Sequence, residues 1–115
     1  MEKSKETMKN LTRKEELILL AILNLKEEAY LIAIAGFLTK ISGKKVSLTS
    51  VHLPLSRLEK YGLIDAEYGE ATAVRGGRRK KIYTVTKLGF EHLDEHKRIS
   101  DMLWSDYLKF STPED

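Results

Sequence analysis

The chain has 115 residues, 42% of them hydrophobic, which fits one domain with a modest core. It has no cysteine, which excludes a disulfide framework, a thiolate metal site and a cysteine nucleophile. Charged residues make up 32% of the chain but the net charge is only +3, so the clustering of charge is more informative than its total. The charged N-terminus lacks the apolar core of a secretory signal, and no apolar run is long enough to span a bilayer. We therefore expect a cytoplasmic protein with no membrane partner.

Two apolar helices are expected after a polar segment at 1–10, which we expect to be flexible. Thr12 and Glu15 have the spacing of a capping box, which predicts a helix that runs to about Leu25. This helix is apolar around most of its circumference, so it should be central and covered on several sides. A second helix is predicted over 30–42, where the apolar residues form one stripe, and Gly43 is well placed to end it.

A third helix is expected to begin after Ser47, a good N-cap residue, and to end at Gly62. One face carries the apolar residues Leu48, Val51, Leu55 and Leu58. The other face is mostly polar but barely charged, which is typical of a surface that reads a ligand. Pro54 lies well inside this segment, and the sequence leaves two alternatives open: the helix kinks there, or its regular part begins near Pro54.

Two strand-like runs, 64–68 and 82–86, flank a glycine-containing polar connector, and this pattern predicts a β-hairpin. The connector includes 75–81, which carries five positive charges and no negative ones. By itself such a run fits a solvated loop and a phosphate-binding tip equally well. Three helices followed by a hairpin is the order of a winged helix, whose third helix enters the DNA major groove while the hairpin, or wing, contacts the neighbouring backbone or minor groove. The expected fold class is therefore α+β, a winged helix-turn-helix over 11–86.

A last helix is predicted over 87–110, about 36 Å long if unbroken, with a polar tail at 111–115. So small a body cannot bury the far end of this helix, and its exposed aromatic and aliphatic side chains would need a partner. A homodimer with a two-fold interface is the simplest solution. The expected interface residues are Ile99, Met102, Leu103, Trp104, Tyr107 and Leu108.

From Leu17 onward the sequence resembles the PadR family of bacterial and archaeal transcriptional regulators. The strongest match lies in 46–64 and includes the pattern Leu-x-Arg-Leu-Glu-x-x-Gly-Leu, which is formed here by Leu55, Arg57, Leu58, Glu59, Gly62 and Leu63. Matches in the wing at 76–83 and in the following Thr86 to Gly89 extend the resemblance over most of the chain. The sequence departs from the family at His52, where a tyrosine is usual, and at Pro54, where the family has an ordinary helix former.

The resemblance and the residue pattern together imply contacts with double-stranded DNA. On the third helix the expected contact residues are Ser47, Thr49, Ser50, His52, Leu53, Ser56 and Lys60. On the wing they are Arg75, Gly76, Gly77, Arg78, Arg79, Lys80 and Lys81. Arg57 and Glu59 fit a structural role instead, packing or pairing within the body.

The last helix contains two further candidate sites. In multidrug-binding PadR regulators a tryptophan on this helix helps form a flat aromatic pocket between subunits. The resemblance therefore implies a small hydrophobic effector at Trp104, although an interface anchor is the commoner role of a tryptophan. His92 and His96 are four residues apart, a spacing that can hold a metal, but packing at the subunit interface is the plainer role. We expect no metal and no cofactor.

The sequence gives no support for an enzyme, since it contains no phosphate-cradling glycine loop, no HExxH and no nucleophile elbow. The expected function is a sequence-specific DNA-binding transcriptional regulator, a repressor that binds a pseudo-palindromic operator as a homodimer. Two rivals remain: a winged-helix protein-interaction module without DNA binding, and a ligand or metal sensor that acts through the last helix.

Overall fold

The computed structural model describes residues 10–69 and 79–111, apart from the side chains of Leu108 and Ser111. These residues form α1 (Arg13–Leu25), a 3₁₀ turn (Lys26–Glu28), α2 (Leu31–Ser42), α3 (Leu48–Lys60), β1 (Ile64–Tyr68), β2 (Lys81–Val85) and α4 (Lys87–Ser111). The predicted α+β order, three helices, a hairpin and a long helix, is confirmed. No helix in the described ranges is long and apolar enough to cross a membrane.

α1 is the centre of the core, as its sequence predicts. The Thr12 hydroxyl accepts a hydrogen bond from the Glu15 backbone N–H at 3.1 Å, and the Glu15 carboxylate accepts one from the Thr12 N–H at 2.9 Å. This reciprocal pair confirms the capping box. The helix packs against α2, α3, β2 and α4. Its buried hydrophobic side chains are Ile18, Leu19, Ala21 and Ile22.

The segment between α1 and α2 contributes to the wing, which the sequence did not predict. After the 3₁₀ turn, the carbonyl of Ala29 accepts a hydrogen bond from the Tyr83 N–H at 2.9 Å. Tyr30 also forms an isolated antiparallel bridge with Ile82. The wing is thereby hydrogen-bonded to the helical body along β2. At the other end of α2, Gly43 takes a left-handed φ of 77°, as expected.

α3 begins and ends at the predicted residues. The Ser47 hydroxyl accepts from the Ser50 N–H at 3.1 Å. After the helix, Gly62 has a φ of 81°, and the Leu63 N–H reaches back to the Leu58 carbonyl at 2.9 Å. Leu58 and Leu63 are both fully buried. This is a Schellman end, in which the left-handed glycine turns the chain into β1.

Pro54 lies inside an uninterrupted α3 that is helical from Leu48. The alternative in which the regular helix begins near Pro54 is therefore wrong. Val51 and Leu55 point into the core as expected, whereas Leu48, placed by periodicity on the same face, is 46% exposed. Leu48 belongs to the first turn of α3, between the exposed Ser47 and Thr49.

The root of α4 is locked against the end of α3. β1 and β2 pair antiparallel, with Ile64 opposite Val85. The Thr86 hydroxyl then accepts from the Gly89 N–H at 3.1 Å and donates to the Gly62 carbonyl at 2.7 Å. A Cβ atom on Gly89 would lie 2.3 Å from the Leu63 carbonyl oxygen, so the two backbones touch here. Only glycine permits this approach.

Candidate nucleic-acid interface

α3 presents one solvent face that is uncharged in its centre. Three polar residues of this face, Thr49, His52 and Ser56, are exposed, and Lys60 is exposed in the last turn. Leu53 lies among them and is 66% exposed. The face predicted from periodicity to read a ligand is thus open to solvent.

The hydroxyls of Ser47 and Ser50 serve the start of the helix. Besides the cap already described, the Ser50 hydroxyl donates to the Ser47 carbonyl at 2.8 Å. Ser50 is half-buried, whereas Ser47 is exposed. Of the two, Ser47 is therefore the better placed to approach a ligand, and Ser50 mainly shapes the first turn.

α3 is joined to α1 by an ion pair that the sequence pattern does not reveal. The Arg57 Nε lies 2.8 Å from a carboxylate oxygen of Glu15, a residue that is only 3% exposed. The Arg57 guanidinium also lies 5.2 Å from the centroid of the Tyr61 ring. The predicted structural role of Arg57 is confirmed. The Glu15 carboxylate, which completes the capping box of α1, thus also holds α3 through Arg57. The two residues are far apart in the sequence, so no local sequence rule predicts their pairing.

The root of the wing lies beside α3. Lys81 Nζ is 3.2 Å from a carboxylate oxygen of Glu59, and the hydrogen bond to this carboxylate raises the pKa of Lys81 above its usual value. Lys80 Nζ lies 4.0 Å from the centroid of the Tyr30 ring. Arg79 and Lys80 are exposed, whereas Lys81 is half-buried. The remaining predicted wing contacts, Arg75, Gly76, Gly77 and Arg78, lie outside the described residues.

Charge is distributed unevenly around this surface. The segment 29–58, which contains α2 and most of α3, has no acidic residue. It does contain Lys40, Lys44 and Lys45, which are exposed. This acid-free stretch is visible in the sequence, although the predicted site does not include its lysines. Lys60 in the last turn of α3 and Arg79 and Lys80 at the wing root are further exposed cations.

The far half of α4 is exposed. Five of its six predicted interface residues have described side chains, and these are 46–67% exposed: Ile99, Met102, Leu103, Trp104 and Tyr107. The rings of Trp104 and Tyr107 meet edge to face, with centroids 5.0 Å apart and an interplanar angle of 66°. Together with Leu103 they line an open cavity of about 220 Å³.

The two histidines of α4 lie at its packed end. His96 Nε2 is 3.4 Å from a carboxylate oxygen of Glu16 on α1, and both histidines are half-buried. Within 10–69 and 79–111, His, Cys, Asp and Glu side chains form no group of three that could hold a metal ion. The geometry connects His96 to the contact between α4 and α1.

The fold is similar to solved structures of PadR-like regulators. A PadR-like transcriptional regulator from Bacillus cereus matches with a TM-score of 0.69 and 29% identity, over 87% of this chain and 92% of that one. A PadR-like transcription factor from Bacteroides fragilis matches with a TM-score of 0.66 and 26% identity, over 86% and 93% of the two chains. A PadR family regulator from Eggerthella lenta has a TM-score of 0.68 and 24% identity, over 89% and 87%.

No protein-family model and no curated protein sequence matches the chain. The likeness therefore rests on three-dimensional structure, which agrees with the sequence pattern at the third helix and the wing. The described elements also appear in the order that this pattern predicts. The resemblance that the sequence indicates is confirmed: the chain is similar in fold to PadR-like transcriptional regulators over most of its length.

Proposed function

We propose that the protein is a DNA-binding transcriptional regulator that represses from a pseudo-palindromic operator, to which it binds as a homodimer. The observation that carries this proposal is the position of the cationic wing root beside the uncharged face of α3, with Lys81 and Glu59 in contact. In a winged helix, such a helix reads base edges in the major groove while wing cations bind the backbone.

Charge complementarity supports the same role. A duplex presents two rows of phosphates on either side of its major groove, and a protein that enters the groove needs cations flanking a neutral face. Here the exposed lysines at 44 and 45 precede α3, Lys60 ends it, and Arg79 and Lys80 lie at the wing. The absence of any acid from 29–58 removes repulsion where the groove would be closest.

The homodimer is supported by the far half of α4. Its exposed Leu103, Trp104 and Tyr107 form part of an apolar surface on a helix that extends away from the winged helix. An exposed surface of this kind is typically covered by another molecule. A second copy brings two α3 helices into one complex, which matches the two-fold symmetry of a pseudo-palindromic operator.

We also propose that a small hydrophobic effector releases the protein from DNA. The cavity beside Trp104 and Tyr107 is open on one side, and a second α4 packed there would close it around a flat aromatic compound. Such a compound would separate the two helices and change the spacing of the DNA-binding heads. The direct test is quenching of Trp104 fluorescence, which a panel of planar compounds should produce if the site exists.

Fluorescence anisotropy with a random-sequence duplex tests DNA binding itself. We expect binding at low salt, and the logarithm of the association constant should fall linearly with the logarithm of the salt concentration. Arg79→Ala with Lys80→Ala should weaken binding to every duplex and flatten the slope by about 0.9 for each phosphate that is no longer neutralised. Lys97→Ala with Lys109→Ala, which removes two exposed charges from α4, is the matched control and should leave the slope unchanged.

The same titration separates the main rival. If the protein were a winged-helix protein-interaction module, the wild type would not bind the duplex even at low salt. Circular dichroism would show in that case that the non-binding protein is folded. An equal loss in the wing variant and the α4 control would mean that only net charge matters, which contradicts a defined wing contact.

A further inference from the structure

We propose that the groove between the starts of α2 and α3 receives the C5-methyl group of a thymine, and that Leu53 makes the protein select thymine at one position of each half-site. The inference rests on the proposed DNA binding and adds to it the chemical group that α3 reads.

The composition of α3 restricts how it can read bases. In the major groove, arginine or lysine recognises guanine by paired hydrogen bonds, and asparagine or glutamine recognises adenine. α3 contains no asparagine or glutamine. Its one arginine, Arg57, is held in an ion pair by the buried Glu15, and Lys60 lies in the last turn. The centre of the face is therefore left with single hydrogen bonds and apolar contact.

Leu53 is the apolar group at that centre. It is 66% exposed, and its neighbour Leu48 is 46% exposed. With Leu31 they line a shallow groove of about 240 Å³, whose remaining walls are Thr49 and His52. Both polar residues carry hydrogen-bond donors. The groove thus has an apolar side and donors at its edge.

This arrangement matches the major-groove edge of thymine. Thymine places a C5-methyl group next to the O4 acceptor, and no other standard base has this methyl. The methyl fits against Leu53, while a donor from Thr49 or His52 reaches O4. A cytosine in the same place lacks the methyl, so it forgoes the apolar contact with Leu53 even where a hydroxyl accepts a hydrogen bond from its amino group.

The cations near the groove favour DNA as the occupant over an apolar segment of another protein. Lys44 and Lys45 are exposed just before α3, and 29–58 contains no acid. A protein helix seated in the groove would leave these lysines unpaired unless it were itself acidic, whereas a duplex brings phosphates on both sides of the same groove.

The test removes one methyl at a time. A bound sequence is first selected from a random duplex pool, and each thymine of the half-site is then replaced by deoxyuracil, which lacks only the methyl. We expect one position per half-site at which affinity falls about fourfold, as for loss of one buried methyl, and about fifteenfold when both half-sites are changed. Cytosine at that position should bind worse than thymine, and 5-methylcytosine should recover part of the loss.

Leu53→Ala should bind thymine and deoxyuracil equally at that position while still binding random duplex. Leu53 is exposed, so this variant should fold as the wild type does. Ile41→Ala is the matched control, since Ile41 is also 66% exposed but lies outside the groove, and it should keep the full discrimination.

The outcomes separate the two proposals. If the wild type selects a sequence but no thymine is sensitive to loss of its methyl, or if Leu53→Ala keeps the discrimination, the groove is not a methyl site and the DNA-binding function stands. If the wild type binds no duplex at all, both the function and the groove assignment are overturned.

Discussion

The exposed face of α3 and the far half of α4 are both open to solvent but differ in how they are held. α3 is fixed to the body by its buried Val51, Leu55 and Leu58, by the pair between Arg57 and Glu15, and by a Schellman end. The ion pairs of lysine and arginine along α4 between Glu95 and Lys109 join residues three or four positions apart on the same helix. Such local pairs stabilise the helix but do not orient it.

This difference has a functional consequence. A face that reads base edges has to be in place before DNA arrives, since a loosely held helix would lose affinity in becoming ordered. The far half of α4 does not need that preparation, because a second copy of the same helix would fix its position. The winged helix is thus complete within one chain, whereas in the proposed homodimer the far half of α4 takes its position from the second copy.

Gly89→Ala should have the largest effect, because it breaks the junction between the two regions. The new Cβ would lie 2.3 Å from the Leu63 carbonyl oxygen and 2.7 Å from Val85 Cγ1, so the root of α4 has to move. We expect a loss of about 3 kcal/mol in the free energy of unfolding, measured by urea denaturation at fixed protein concentration.

Gly36→Ala is the control for that experiment. Gly36 lies inside α2, where an added Cβ would have no heavy atom of a neighbouring group within 4 Å, so alanine should stabilise the protein by about 0.5–1 kcal/mol. Similar losses for both variants would show that the close packing at the root of α4 is not what holds the two regions together.

Leu103→Asp with Tyr107→Asp tests the proposed dimer interface on the far half of α4. Two carboxylates on the exposed apolar line should raise the dimer dissociation constant about a hundredfold or more, detected by light scattering coupled to size-exclusion chromatography. The winged helix should remain folded, as seen by circular dichroism.

Ser105→Asp places a carboxylate on the opposite side of α4 and should leave the dimer intact. A wild-type protein that is monomeric at high micromolar concentration, or a double variant that stays dimeric, would contradict this interface.

Arg57→Ala breaks the anchor of α3. It leaves the buried Glu15 carboxylate with its bond from the Thr12 N–H but without a counter-charge. Since the Arg57 side chain is 49% exposed, the loss should be modest, about 1–2 kcal/mol in unfolding free energy. Selected-sequence binding should weaken more than random-duplex binding, and Arg57→Lys should restore part of both. An unchanged ratio of the two affinities would mean that the ion pair does not position α3.

Glu59→Gln should have the smallest effect, and it tests the pair between Glu59 and Lys81 at the root of the wing. The bond to Glu59 raises the pKa of Lys81 above 10.5, so the stabilisation from this pair is fully present below pH 10.5 and is lost as pH rises through the raised value. The variant should lower stability by less than about 1 kcal/mol at neutral pH. It should also tighten duplex binding about twofold, because one carboxylate near the phosphates is gone. Weaker binding would indicate that Glu59 positions Lys81 for contact.

The features that were predictable from sequence depend on neighbouring residues. The capping box at Thr12, the cap at Ser47 and the left-handed glycines at 43 and 62 each follow from a rule that acts within one turn. The winged-helix order then follows from the sequence of elements, and the structure confirms it.

The features that were missed join residues far apart in the chain. The pair between Glu15 and Arg57, the pair between Glu59 and Lys81, and the bonding of Ala29 and Tyr30 to β2 depend on how helices and strands meet. Periodicity also placed Leu48 with the buried residues of α3, although Leu48 is exposed in the first turn. For the candidate site, the sequence indicated the exposed face of α3, but the groove beside Leu53 required the position of α2.

Selection of bound duplexes from a random pool with the wild-type protein tests directly whether α3 reads a DNA sequence. We predict enrichment of an inverted repeat whose half-sites lie about 10–10.5 base pairs apart, centre to centre, or a multiple of that distance. Recovery of a pool without an enriched sequence, at an affinity equal to that for random duplex, would contradict the central claim that α3 reads DNA.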